Sequence, residues 1–214
     1  MTELRVQNFS ISVDGYAAGP AQTVDHPLGV GGEQLHEWMF PADGDRTEVD
    51  DAFVTRSQEG VGATIVGRNM FGPVRGEWQG DWRGWWGEDP PFHHDVYVLT
   101  HSPRSPVPMA GGTTFHFVTD GIEVALELAR RSAGNRHVRL GGGASTVRQY
   151  LRAGLVDELH VVVVPILLGG GERLFDDLGT ALDGWTCVGF APSRSVTHMR
   201  LRGPARRDFD TMEA

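Results

Sequence analysis

A chain of 214 residues with a formal charge of -9 has the size of one ordinary domain with a substantial core. The acidic balance, with no basic block anywhere, argues against a nucleic-acid partner. All 19 basic residues are Arg and none is Lys, which excludes Schiff-base lysine chemistry. Any phosphate is left to arginine, whose planar fork can bind it bidentately.

The one cysteine, Cys187, rules out an intrachain disulfide and a multi-cysteine zinc site. The opening residues, MTELRVQNFS, lack a basic stretch followed by an apolar run, so no signal peptide is expected. The longest apolar run, Val161 to Leu168, is far too short to span a bilayer. The expectation is a soluble cytoplasmic protein with no membrane partner.

In chain order, Phe9, Ile11 and Val13 alternate through residues 5–13 and predict a strand, closed by an Asp14-Gly15 turn. Ala17 to Gly32 has no periodicity and reads as a long loop, of the kind that binds ligands or closes over them. Glu33 to Phe40 sets Leu35, Trp38 and Met39 on one side of a short amphipathic helix. The polar stretch Asp43 to Asp51 leads into a helix ending near Glu59. Gly62 to Val66 is an apolar strand that runs directly into Gly67-Arg68-Asn69-Met70. Residues 73–94 form a loop carrying Trp78, Trp82, Trp85 and Trp86. Asp95 to Thr100 and Thr114 to Val118 are strands.

Asp120 to Gly134 is the clearest helix. Ile122, Ala125, Leu126 and Ala129 stripe it, Asp120 with Glu123 resembles a capping box, and Gly134 marks its stop. Val138 to Leu174 then runs as a strand, a triple glycine, a helix with Ser145 as N-cap candidate, a very apolar strand and a second triple glycine. Trp185 to Phe190 and Val196 to Arg202 predict a closing antiparallel hairpin, and residues 203–214 a flexible polar tail. Strands alternating with helices predict an α/β domain on a mainly parallel sheet with an antiparallel edge.

Three constellations carry possible chemistry. Gly141-Gly142-Gly143-Ala144-Ser145-Thr146 sits at a strand-to-helix junction, where backbone N–H groups and the helix N-terminus favour a phosphate. A tight turn with a capped helix explains the same residues. A dinucleotide-binding Rossmann motif needs an acid at the end of the following strand, and Asp157 and Glu158 precede that strand. A P-loop needs a lysine the chain lacks.

Gly67-Arg68 and Thr100-His101-Ser102-Pro103-Arg104 end two further strands, where ligands of open α/β sheets collect. Two arginines and a hydroxyl pair fit a ribose 2′-phosphate; surface arginines in turns are the plainer account. The tryptophans fit an aromatic wall over a flat heterocycle, a subunit interface, or a loop folded over one end of the sheet. His93 and His94 are adjacent on an extended chain and point to opposite faces, so no metal site is expected.

The ordered motifs SVDGYAAG, IVGRNMFG, YVLTHSPR, VRLGGGAST and VVPILLGGGERLF resemble the dihydrofolate reductase-like family, in particular the branch with the reductase domain of riboflavin biosynthesis. The resemblance runs over about residues 5–202 and implies one domain, residues 1–214. Its fold would be a mainly parallel central sheet of about eight strands, with helices on both faces and an antiparallel C-terminal hairpin.

It also implies NADPH as cofactor. Gly67, Arg68 and Asn69 would follow the adenosine side, and Thr100, His101 and Arg104 the 2′-phosphate ribose. Gly142, Gly143, Ala144, Ser145 and Thr146 would hold the pyrophosphate, and Ala17 and Ala18 would line the nicotinamide pocket. Asp14, Trp38, Pro165 and Leu167 would lie on the substrate side, with Glu37, His36 or an ordered water supplying the proton. Met70 stands where members often have Thr.

The implied activity is an NADPH-dependent reductase acting on a C=N or C=O bond of a small heterocycle, pterin-like or an aminopyrimidine of the phosphoribosylaminouracil kind. A broad carbonyl or flavin reductase, or a non-catalytic nucleotide-binding module, is the alternative. Related reductase domains commonly form homodimers.

Overall fold

The computed structural model describes residues 2–72, 77–78 and 80–204; of the expected tail at 203–214, residues 205–214 lie outside them. β1 (Leu4–Ser12) and β2 (Tyr16–Ala18) precede a 3₁₀ helix at Gly32–His36 and helix α1 (Glu48–Gln58). β3 (Val61–Gly67) runs into the single turn α2 (Arg68–Phe71), and the tryptophan loop returns to β4 (Asp95–Leu99). Next come β5 (Val107–Pro108), β6 (Thr114–Val118), α3 (Ile122–Ala133), β7 (His137–Gly142), α4 (Ala144–Arg152) and β8 (Glu158–Val164). β9 (Glu172–Arg173), β10 (Thr186–Pro192) and β11 (Thr197–Arg202) close the described chain.

Nine strands make one sheet in the order β10-β11-β8-β1-β7-β3-β4-β6-β5, and β2 pairs with β9 apart from it. The strands from β8 to β6 in that order are parallel. β11 runs antiparallel to both β8 and β10, and β5 antiparallel to β6. The mainly parallel sheet and its antiparallel hairpin are as expected. The additional sheet strand is β5, two residues long and too short to show any period. β2 and β9 escape notice for the same reason, inside what reads as loop.

Side-chain alternation sorts the sheet into two unlike faces. On one face Leu4, Val6, Ala63, Ile65, Val138, Leu140, Leu159 and Val161 meet the apolar stripes of α3 and α4 in the main core. The other face carries two separate apolar clusters. Val66, Val96, Val98 and Phe115 lie under Trp78, Trp82 and Trp86. Val162 and Val164 lie under Leu35, Trp38 and Val54 of α1. Helices thus cover both faces. Between the two clusters the middle strands offer polar side chains, with Arg139 in register beside Thr64 and Ser10 beside Val162.

Several local expectations change. The segment after Gly32 winds as a 3₁₀ helix, so Leu35 and Trp38, three apart, share the buried side while Glu37 points outward. No capping box forms on α3: its N-cap is Gly121, which has no side chain to accept a bond. On α4 the N-cap is Gly143, whose extended backbone puts Ser145 already inside the helix. The tryptophans and the valine-rich β8 are both engaged within the chain. The tryptophans pack on their own sheet, and β8 is paired on both edges. Among the described residues, no helix is long and apolar enough to cross a membrane.

Candidate active-site cleft

A cleft of about 1190 Å³ opens along the polar stripe and reaches the carboxyl ends of β3, β4 and β7. Its upper wall is the glycine corner. A Cβ on Gly67 would fall 2.2 Å from Thr146 Oγ1, so β3 and the first turn of α4 touch only because residue 67 has no side chain. Opposite it, a Cβ on Gly143 would meet nothing within 4 Å. The peptide bond between Gly142 and Gly143 is cis. Gly143 gives no side-chain bond to the first-turn N–H groups of α4, and that turn borders the cleft.

Arg68 leaves the end of β3 and stacks on Trp78, with its guanidinium carbon 3.5 Å from the ring centroid. Arg104 approaches the same ring at 5.0 Å and donates to Trp82 O at 2.6 Å. Burial, followed by the neighbouring Arg104 charge, pulls the Arg68 pKa down. Its Nε is buried and has no hydrogen-bond partner. The indoles are pinned in turn: Trp78 Nε1 donates to Ser102 O and Trp82 Nε1 to Phe71 O, each at 2.8 Å. The tryptophan loop is therefore both a cover for the sheet and, through Trp85 and Trp86, a wall of the cleft.

Of the residues singled out from the sequence, the cleft brings together Ala17, Ala18, His36, Gly67, Arg68, Asn69, Thr100, His101 and Gly142 to Thr146. Arg104 sits off its lining, beside Trp78. Glu37 is exposed and also off the lining. Trp38 is buried and donates to Ser10 Oγ at 3.0 Å, behind the floor rather than in the opening.

Asp14 accepts from Leu168 N at 3.2 Å and Gly169 N at 2.8 Å, so its carboxylate ties the second glycine turn to β1. Pro165 and Leu167 are exposed on that turn and off the lining. The turn itself carries close packing: a Cβ on Gly171, at φ 118°, would fall 2.0 Å from Ala18 O. His36 faces the cleft, and burial lowers its pKa. His93 and His94 part as their adjacency requires. The first bonds Gly111 O at 2.9 Å and the second Thr64 Oγ1 at 2.8 Å. Among the described residues no cluster of three or more metal-ligating side chains occurs.

Several polar residues of the cleft carry no sequence signal of their own. Arg139 projects from β7, Asn8 sits in a bulge of β1 at φ 54°, and Glu172 comes from β9. Alternation in HVRLGG sets Arg139 opposite Val138 and Leu140, but only the sheet order shows that this face is the cleft.

The sheet order, the hairpin and the glycine corner define a dihydrofolate reductase-like α/β fold. The chain belongs to the RibD C-terminal domain family, whose model matches residues 6–195. It is 30% identical over 95 residues to the uncharacterized protein YyaP of Bacillus subtilis (strain 168), a match covering 42% of this chain. That match spans half, 50%, of the relative's own length.

Among solved structures it is similar to a candidate riboflavin biosynthesis protein from Shewanella sp. PV-4. The TM-score is 0.59 at 22% identity, covering 94% of this chain and 98% of that one. It is also similar to the diaminohydroxyphosphoribosylaminopyrimidine deaminase/5-amino-6-(5-phosphoribosylamino)uracil reductase of Thermotoga maritima. There the TM-score is 0.53 at 14% identity, covering 95% of this chain and 57% of that one.

Proposed function

We propose that this protein is an NADPH-dependent reductase of the riboflavin-biosynthesis type, acting on a pterin-like or aminopyrimidine heterocycle. The observation that carries the reading is the glycine corner beside Arg68. A helix N-terminus without a side-chain cap and a guanidinium with an unpartnered buried Nε face one cleft. Those features fit a phosphorylated dinucleotide. Family membership and the Thermotoga maritima fold relative, described as an aminouracil reductase, support the reaction class.

When bound, the dinucleotide supplies a hydride to the carbon of a C=N or C=O bond, and a proton completes the reduction at nitrogen or oxygen. Gly142 to Thr146 hold its pyrophosphate, Arg68 reads the 2′-phosphate, and Ala17 and Ala18 flank the nicotinamide. Thr100 and His101 border the ribose, Asn69 the adenosine side. Arg104 acts through Trp78. The walls exclude water and orient the acceptor.

For the proton, Glu172 is the one carboxylate on the cleft wall among the described residues, and it pairs in β9 with Ala18 of β2. Its carboxylate lies 3.8 Å from Arg148 Nη2, and in this reading it relays a proton from solvent, with His36 the other cleft-facing candidate. Glu37, pointing outward, has no route to the centre without rearrangement of the 3₁₀ turn. Glu172→Gln is expected to lower kcat by about 100-fold with NADPH affinity unchanged, as loss of a general acid does. An unaltered kcat removes Glu172 from the role.

The direct test is titration with NADPH, followed by fluorescence quenching and thermal shift. The expected result is saturable binding, with NADPH oxidised in the presence of an aminouracil or pterin. No quenching and no shift at high micromolar cofactor overturns the proposal. Arg68→Ala is expected to weaken NADPH roughly tenfold more than NADH, because only the former carries the extra phosphate. Equal losses refute the assignment of Arg68. Homodimer formation belongs to the same proposal, and analytical ultracentrifugation decides it.

A further inference from the structure

The polar floor holds a cation without a counter-charge. Arg139 projects from β7 between Arg5 of β1 and Thr64 of β3, on the cleft face. Its neighbour Arg5 is satisfied, with Nη2 lying 2.5 Å from Glu3 Oε2. Arg139 is not. It makes one long hydrogen bond, Nη1 to Gln58 Oε1 at 3.4 Å, and its guanidinium carbon lies 5.5 Å from the Phe92 ring. Among the described residues no carboxylate pairs with it.

A half-buried guanidinium that keeps most of its donors idle is costly unless something anionic completes it. Burial alone pushes its pKa down to about 10. The adjacent imidazole, His94, is bonded to Thr64 and supplies no opposing negative charge.

The surroundings narrow what that group is attached to. Phe92 and Trp86 meet edge to face, 4.9 Å between centroids, and both line the cleft on one side. Val54 and Gln58 of α1 line the other side. A flat ring fits such a slot, with its polar edge toward the floor. Arg139 also lies three residues before Gly142 along β7, roughly 10 Å at the usual strand rise, too far to share the phosphate held at the glycine corner.

We propose that Arg139 is the anion anchor of the substrate half of the cleft, taking a carboxylate or phosphate carried by a planar ring that packs against Phe92 and Trp86. The word substrate rests on the reductase reading; the anion site itself does not.

The test uses benzoate and phenyl phosphate, with neutral benzamide as control, in isothermal titration of the wild type, Arg139→Gln and Arg139→Lys. NADPH titration is run in parallel. In the wild type one or both anions are expected to bind at least roughly tenfold tighter than benzamide, and which one binds identifies carboxylate or phosphate. Arg139→Gln is expected to abolish that preference while NADPH affinity stays within about twofold, since the anchor is remote from the corner.

Equal binding of benzamide and the anions overturns the proposal, as does a preference that survives Arg139→Gln. If Arg139→Gln loses its circular-dichroism signature, Arg139→Lys decides. An ammonium keeps the charge but not the fork, so anion affinity drops roughly tenfold while the fold is retained. Unchanged affinity in that variant overturns the anchor. Anion binding that depends on Arg139 without any NADPH binding would sink the reductase reading and leave this site standing. NADPH binding with no anion preference would do the reverse.

Discussion

Gly67→Ala is expected to destabilise the protein and to weaken NADPH by about 10- to 100-fold, the usual cost of about 1–3 kcal/mol for an overpacked contact. The added Cβ would stand 2.2 Å from Thr146 Oγ1, a separation no pair of such atoms holds. Residue 67 ends β3 and N-caps α2 in extended backbone, at φ -79° and ψ 161°, a conformation alanine adopts freely. The penalty is therefore purely steric, and it falls on the first turn of α4. Relief comes only if the Thr146 side chain turns or its helical turn shifts, and the second displaces the N–H groups proposed to hold the pyrophosphate.

The double variant Gly67→Ala/Thr146→Ala separates the causes. Removing Oγ1 leaves Thr146 Cβ at 3.4 Å, an ordinary contact, so thermal stability is expected to return to near the wild-type value. Cofactor affinity returns with it, less whatever the Thr146 hydroxyl contributes. A single variant that melts and binds NADPH like the wild type would show that the end of β3 and the first turn of α4 do not approach that closely.

That contact also marks where sequence reading succeeds and where it stops. The strands of the parallel sheet are legible because each is an unbroken or alternating apolar run; β3, Val61–Gly67, is buried at every position. α3 is legible from its stripe. The strand-to-helix junction at the glycine corner is legible because three consecutive glycines interrupt both periodicities there.

The half of the cleft around Arg139 is a different matter. Arg139 between Val138 and Leu140 looks like any outward-facing residue of a half-buried strand, and its significance depends on Thr64 and Ser10 arriving on the same face from distant parts of the chain. The bulge at Asn8 shifts the register of β1 between Val6 and Phe9, and no periodicity announces it. Glu37 enters as a proton source only through the family resemblance, and no spacing in the sequence selects it. Leu35 and Trp38 are buried and Glu37 is exposed, as the i, i+3 spacing of the apolar pair requires on either kind of helix.

Stability is expected to fall as pH drops from about 6.5 toward 3, through a chain of buried histidines on the cleft side of the sheet. Asn8 N–H donates to His160 Nδ1 at 3.2 Å, so that nitrogen carries no proton. His160 Nε2–H then donates to His198 Nδ1 at 3.1 Å, and His198 Nε2–H to Asp50 Oδ1 at 2.9 Å. Thr47 Oγ1 donates to the other carboxylate oxygen at 2.7 Å. Phe53 stacks on both imidazoles, 4.6 Å from His160 and 4.1 Å from His198, and excludes water.

A second proton on His160 has nowhere to go, since Nδ1 already faces an N–H. Burial, followed by the neighbouring His198 charge, pushes its pKa down to about 3. Burial does the same to His94 and His137, each to about 4.

Because an unfolded histidine titrates near 6.5, the unfolded chain binds more protons than the folded one throughout this window. The stabilisation is complete above about pH 6.5 and is lost progressively below it. At pH 5 the loss for His160 alone is about 2 kcal/mol, or a Tm lower by about 4–8 °C for a chain of this size. Above about pH 5 Asp50 adds nothing: burial raises its pKa, but the bonds from Thr47 and His198 outweigh this and keep it ionised. Its contribution is lost only further down, as pH falls through its own lowered pKa.

His160→Gln tests the assignment, because an amide can accept from Asn8 N–H and donate to His198 yet does not titrate. Thermal unfolding between pH 7.5 and pH 5 is expected to show a shallower loss in this variant than in the wild type. The same slope in both would assign the acid sensitivity to other groups and leave His160 a spectator.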